Sequence, residues 1–290
     1  MPGWLARLPE RTCLGGEAEA WLSPERPLVM VLDQRRASEA SRALLGHEGI
    51  HEHMPLFAAT PLAPLQEAGP WALRLEAGSD AWRSGEVLCR ERRLGWCCQP
   101  LPTTPFAELL AHLQGLFVWD DPHGGQSLVN LQDPAALTAL LASAEPSTLA
   151  HVLAPLGELA SPTPLGHWQV WQRPEANDVL DASRRLTLDM EAALKAAPQA
   201  WFLAERLGVR LDEIDADWLE GLAVLNRHGI TRARHLESLL PYVQRTAWRE
   251  SEESREILGS GQPAWRKVKA LRERMETLQA QDRNTLEWTM

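Results

Sequence analysis

The sequence predicts a mixed α/β (α+β) domain over residues 1–173 joined to a mainly helical lobe over residues 174–290. Three observations support that division. Short apolar runs alternate with short helical stretches as far as Trp171. Beyond Pro174 no strand pattern of comparable strength recurs, and apolar residues fall near helical spacing. Charge density also changes, from 11 basic and 19 acidic residues over 1–172 to 18 and 20 over 173–290, as a helical lobe with much solvated surface requires.

The elements follow in order. Residues 27–33 (PLVMVLD) predict a buried strand ending in Asp33. Ser38 then stands as the cap of a helix over 38–45. Residues 46–54 predict a polar loop. Residues 71–76 (WALRLE) alternate apolar and polar, the period of a half-buried strand, and 94–99 make another. A helix is predicted over 104–113, with Thr104 as cap and Pro105 in its first turn. Residues 116–119 and 128–131 flank Asp120-Asp121-Pro122-His123-Gly124-Gly125, a run of turn formers that predicts a hairpin. Asp133 caps a helix whose first residue is Pro134. Residues 167–171 (HWQVW) form the last strand. In the second lobe, helices are predicted over 177–196, 201–207, 217–227, 231–243 and 263–279. Gly208, Gly229 and Gly259-Ser260-Gly261 are their stops.

Composition narrows the function. At 44% hydrophobic and 23% charged residues the chain is globular. Its longest apolar runs fall far short of the roughly 20 residues that a membrane helix needs. The N-terminus lacks the basic start and apolar stretch of a secretory signal. No membrane role is expected. The net charge of −10 speaks against nucleic acid as partner. Cys13, Cys89, Cys97 and Cys98 do not make a disulfide framework or a metal site. Cys97 and Cys98 are neighbours on a strand and point to opposite faces. All four are expected to be reduced and partly buried.

One catalytic pattern matches literally. His47-Glu48-Gly49-Ile50-His51 has the HExxH spacing that, on a helix, sets two zinc-binding histidines one turn apart beside a glutamate that activates water. Its surroundings oppose a helix. Gly46 and Gly49 each cost about 1 kcal/mol of helix propensity relative to Ala, and Pro55 follows within a turn. His53, Glu67 and Glu76 are available as a third ligand, none at a persuasive spacing. No cofactor is implied. The acidic run Asp212-Glu213-Ile214-Asp215-Ala216-Asp217 lacks the Gly and terminal Glu of a calcium loop and suits a helix start. Tryptophans crowd the late chain. Trp201, Trp218, Trp248 and Trp265, with Arg266 and Arg272, are the expected partner-binding residues, because Trp and Arg favour interfaces.

The linear order of motifs also resembles a known family. The series runs from the strand ending in Asp33, through Met54-Pro55-Leu56-Phe57 and Gly69-Pro70-Trp71-Ala72-Leu73-Arg74-Leu75, to the helix over 106–113. It closes on Val129-Asn130-Leu131-Gln132-Asp133-Pro134-Ala135-Ala136-Leu137. This resembles the effector adaptors of bacterial type VI secretion (Tap or TEC adaptors), long filed as a domain of unknown function. The family's closing motif is typically Arg-aromatic-x-Asp-Pro; here Asn130 and Leu131 replace the Arg and the aromatic. The likeness covers about 27–173 and extends weakly to Asn226-Arg227-His228-Gly229-Ile230-Thr231. It implies a cytoplasmic, non-enzymatic chaperone that binds a cognate secreted effector and helps load it onto the valine-glycine-repeat spike protein, VgrG. The alternative is a zinc-dependent hydrolase built on His47, Glu48 and His51.

Overall fold

A computed structural model of the chain describes residues 3–15, 26–36, 38–171, 173–174 and 184–287. Among the described residues nine strands are formed: β1 (Thr12–Gly15), β2 (Leu28–Leu32), β3 (Ile50–Pro55), β4 (Trp71–Leu75), β5 (Gly95–Gln99), β6 (Val118–Asp120), β7 (Gln126–Leu128), β8 (Glu158–Pro162) and β9 (Trp168–Trp171). Seven of them make one sheet in the order β1-β9-β8-β5-β2-β4-β3, and every pairing is antiparallel. β6 and β7 form the separate hairpin that the Asp-Pro-His-Gly-Gly turn predicts.

The centre of the sheet explains the uninterrupted apolar runs. β2 and β5 are buried along their whole length, so both faces need apolar side chains. Leu28, Met30 and Leu32 share one face with Leu73, Leu75, Cys97 and Ala160. That face is covered by α3 (Ser38–Leu44) and α4 (Asp80–Glu86), through Leu44, Ala81 and Trp82. Val29, Val31, Trp96 and Cys98 alternate onto the other face. Gly95 is where the backbones come closest: a Cβ there would stand 2.0 Å from the Val31 carbonyl oxygen.

Upstream of β1 lie α1 (Gly3–Ala6) and α2 (Leu8–Arg11). The other helices of this unit are α5 (Phe106–Gly115), α6 (Pro134–Ser143), α7 (Pro146–Leu153) and α8 (Leu188–Leu207). α6 is buried on nearly every side. Arg11 closes its C-terminus, donating to the carbonyls of Leu141 and Ala144 at 2.7 Å each, where a cation suits the helix dipole. α6 packs against α8. The facing residues of α8 are small and follow helical spacing: Ala193, Ala197, Ala200 and Ala204 are all buried.

α8 corrects the expected helices over 177–196 and 201–207. One helix runs from Leu188 through Pro198 to Leu207. Residues 175–183 lie outside the described residues. A proline inside a helix forfeits one hydrogen bond and crowds the preceding turn; packing on α6 outweighs that local penalty. Thr187, not a residue near 177, is the cap, its hydroxyl accepting from the Met190 amide at 3.2 Å. Two smaller differences have similar local causes. Thr104 does not cap α5; Pro105 holds that place without a side-chain bond. Ser38 is the first residue of α3, and the residue before it lies outside the described set.

Two compact units result, residues 3–212 and 213–290, whereas the sequence reading divides the chain at Arg173. α8 is the difference, since it completes the unit that holds the sheet. The second unit is helical: α9 (Ala216–Arg227), α10 (Ala233–Glu237), α11 (Leu240–Val243), α12 (Ala247–Glu250), α13 (Glu252–Gly259) and α14 (Ala264–Glu287). Asp215 caps α9 by accepting from the Asp217 amide, the helix-start role expected of that acidic run. Pro241 enters α11 at its first turn, so the helix expected over 231–243 is two short ones.

Candidate functional site

Asp33 and Asp133, separated by a hundred residues of chain, come together at one end of the sheet. Asp33 follows β2 and is buried. Its Oδ1 accepts from the amides of Arg35 and Arg36 at 3.2 and 3.3 Å, which shapes the turn after the strand. Its Oδ2 finds no partner among the described residues. Asp133 caps α6 as predicted, its Oδ1 accepting from the Ala135 amide at 3.0 Å. Burial raises the Asp133 carboxyl above its usual range; the Ala135 amide and Arg36 oppose this, and the neighbouring Asp33 reinforces it. The Trp96 indole donates to the Leu131 carbonyl at 2.7 Å and anchors the approach to the cap on β5. This arrangement joins a strand end to a helix start. One oxygen of each carboxylate is already held by main-chain amides.

The HExxH pattern does not form the geometry that gives it chemistry. His47 ends the turn after α3, its amide bonding to the Leu44 carbonyl. Gly49 has φ +95°, outside the helical region. A Cβ on it would stand 2.3 Å from that of Ser79, the residue whose hydroxyl caps α4. The Glu48 and Gly49 carbonyls accept from the amides of Ala81 and Glu76. His51 then lies on β3, at the edge of the sheet. His47, Glu48 and His51 are therefore parted between a pinned turn and a strand. Among the described residues no three His, Cys, Asp or Glu converge as a metal site would need. The polar loop expected over 46–54 is loop only to Gly49; the rest is the edge strand β3.

The expected partner-binding residues also separate. Trp201 is half-buried on α8, in the unit that holds the sheet, and Trp218 is half-buried on α9. Trp248 is only 2% exposed and belongs to the helical unit's interior, which corrects its place among the surface anchors. Trp265 is 55% exposed. It shares α14 with Arg266 and Arg272, both exposed. The Arg266 guanidinium lies over the Trp265 ring, 5.1 Å from its centre. Of the six residues, these three form one surface.

One titratable group stands out that the sequence does not signal. His112, on α5, is mostly buried, with an Nε2 that meets the Val152 carbonyl at 3.0 Å and a ring against that of His151. Burial lowers it to about 4, against the weaker opposing effect of the Val152 bond, so the neutral ring is the native form. All four cysteines are free thiols. Cys89, Cys97 and Cys98 are wholly enclosed rather than partly buried, and burial raises Cys97 and Cys98, the latter to about 12. Cys13 alone is exposed.

The model of a family described as a domain of unknown function, DUF4123, matches residues 29–151. The match runs from within β2 to within α7, so it contains both Asp33 and Asp133. It leaves out β1, β8 and β9, which complete the sheet, and the whole helical unit. No curated protein and no solved structure matches the chain. Among the described residues no helix is long and apolar enough to cross a membrane.

Proposed function

We propose that this chain is a non-enzymatic cytoplasmic adaptor, a chaperone that binds a cognate type VI secretion effector and helps load it onto the VgrG spike protein. One observation carries the reading. The stretch matched by the family of unknown function, 29–151, coincides with the motif series, from the strand ending in Asp33 to Asp133-Pro134, that resembles the effector adaptors. In this reading the strand-to-helix junction at Asp33 and Asp133 is a rigid framework for a binding surface. Exposed Trp and Arg on α14 supply part of the effector contact, and the sheet-bearing unit shares it or meets the spike protein.

The experiment is co-expression of the tagged chain with VgrG and with the effector encoded beside it. The adaptor reading expects effector and VgrG to be retained together by the tagged chain, and secretion of that effector alone to stop when the chain is deleted. Retention of neither protein, with normal secretion in the deletion strain, overturns it.

A further inference from the structure

The basic residues of the helical unit fall into two sets. One set is used inside the unit. Lys267 is buried, and its Nζ donates to the carbonyls of Leu258 at 2.7 Å and His228 at 3.2 Å, at the ends of α13 and α9. Arg249 pairs with Asp217 and Glu220 at 3.1 and 3.0 Å. Arg274 pairs with Glu253. Other cations have no acidic partner among the described residues, Arg227, Arg232, Arg234, Arg245 and Arg255 as well as Arg266 and Arg272; the last two share α14 with an exposed tryptophan.

Helical spacing places these two. Lys267, Val268, Leu271 and Met275 are the buried side of α14. Trp265, Lys269 and Arg272 stand at i, i+4 and i+7, one exposed stripe that flanks the buried side. Lys269 is exposed and reaches Glu273 only at 3.8 Å, a weak tie in water. Arg266 flanks the stripe and bends over the Trp265 ring. An exposed indole thus has Arg266 over its ring, with Lys269 and Arg272 following along the same stripe.

We propose that this face of α14 docks an acidic, amphipathic segment of a protein partner, its carboxylates on Arg266, Lys269 and Arg272 and an apolar side chain against Trp265. The inference rests on the adaptor reading, since it takes the partner to be protein cargo. Charge complementarity selects the occupant. The cationic stripe is short and continues into Glu273 and Glu276 on the same helix, so a long phosphate backbone or an anionic bilayer meets repulsion after two turns. The unit as a whole holds 12 basic and 13 acidic residues, not the excess of cations that a polyphosphate binder shows.

The test uses the full chain and its Trp265→Ala and Arg266→Glu/Arg272→Glu variants, with folding checked by circular dichroism. The probe is a fluorescein-labelled helical peptide of Glu and Leu, compared with its Lys-for-Glu counterpart, single-stranded DNA and phosphatidylglycerol vesicles. The acidic peptide alone is expected to bind. Binding weakens with salt, falls about thirtyfold in the Trp265 variant as for an interface hot spot, and falls at least as far on charge reversal. No binding of the acidic peptide, binding unchanged in both folded variants, or equal binding of DNA or vesicles overturns the assignment. A wild-type chain that retains its effector while the charge-reversed chain retains it equally also overturns the face, and leaves the adaptor reading standing. Failure of the wild type to retain any effector strikes the adaptor reading instead, and the peptide measurement then decides the face alone.

Discussion

Asp133 does two opposed things in one place, which makes its substitution informative. Its carboxylate satisfies an amide at the start of α6, but burial disfavours its charge. Loss of a cap costs about 0.5–2 kcal/mol, so Asp133→Ala is expected to lower the unfolding free energy at pH 7 by that amount, read as a lower urea midpoint. Asp133→Asn keeps the cap without the charge and should lower it less. His112 sets a pH dependence. In the unfolded chain it takes a proton near pH 6.5; in the fold only near 4, because the buried ring is kept neutral. Its contribution to stability is therefore complete above pH 6.5 and is lost as the pH falls from 6.5 toward 4. The loss is about 3 kcal/mol at about 1.4 kcal/mol per pH unit. Thermal unfolding measured between pH 7.5 and 4.5 should show a steeper decline for the wild type than for His112→Gln. Trp248 and Trp265 form a contrasting pair. Trp248→Ala opens a cavity and is expected to cost about 3–5 kcal/mol, whereas Trp265→Ala removes an exposed ring and should leave the unfolding free energy within about 0.5 kcal/mol.

Between elements, β2 and β5 meet with no room to spare. Gly95→Ala would drive a methyl into the Val31 carbonyl, and both backbones are fixed by pairing on either side. A destabilisation of about 3 kcal/mol or more is expected, seen as a large fall in melting temperature or in soluble yield; an unchanged melting temperature would show that the strands can part. These central strands were the most legible part of the sequence. A strand buried on both faces must be nearly free of polar side chains, and LVMVL of β2 and GWCC of β5 are. Helix starts were legible at Asp133 and in the acidic run before α9, but not at Ser79, Thr187 or Ser251, whose hydroxyls also cap helices. What sequence spacing misjudged has one physical cause, long-range contact. β3 is a strand because β4 pairs with it, although Ile50–Pro55 is polar. α8 crosses Pro198 because its alanines seat on α6. β8, which includes a proline, takes its form from β5 and β9. In the candidate surface, exposure of Trp265 and burial of Trp248 depend on packing that a residue's identity does not reveal.

At the scale of the molecule, the place to cut the chain follows from α8. A chain ending after Asp212 keeps α8 on α6 and is expected to unfold cooperatively with a midpoint near that of its unit in the full chain. A chain ending after Arg173 strips α6 of its cover and should aggregate or melt early; equal stability of the two truncations would show that α8 is dispensable. The sheet order has a consequence in time. Thr12 pairs with Trp171, so the first strand synthesised waits for the last. While the middle of the sheet closes through shorter loops, β1 has no edge to join until nearly the whole unit has emerged. Such late, distant pairing slows folding. Refolding should accordingly end in a slow step that substitutions in β1 retard and substitutions in β4 do not. Until that step finishes, β9 carries an open row of amides and carbonyls on which another nascent chain can grow.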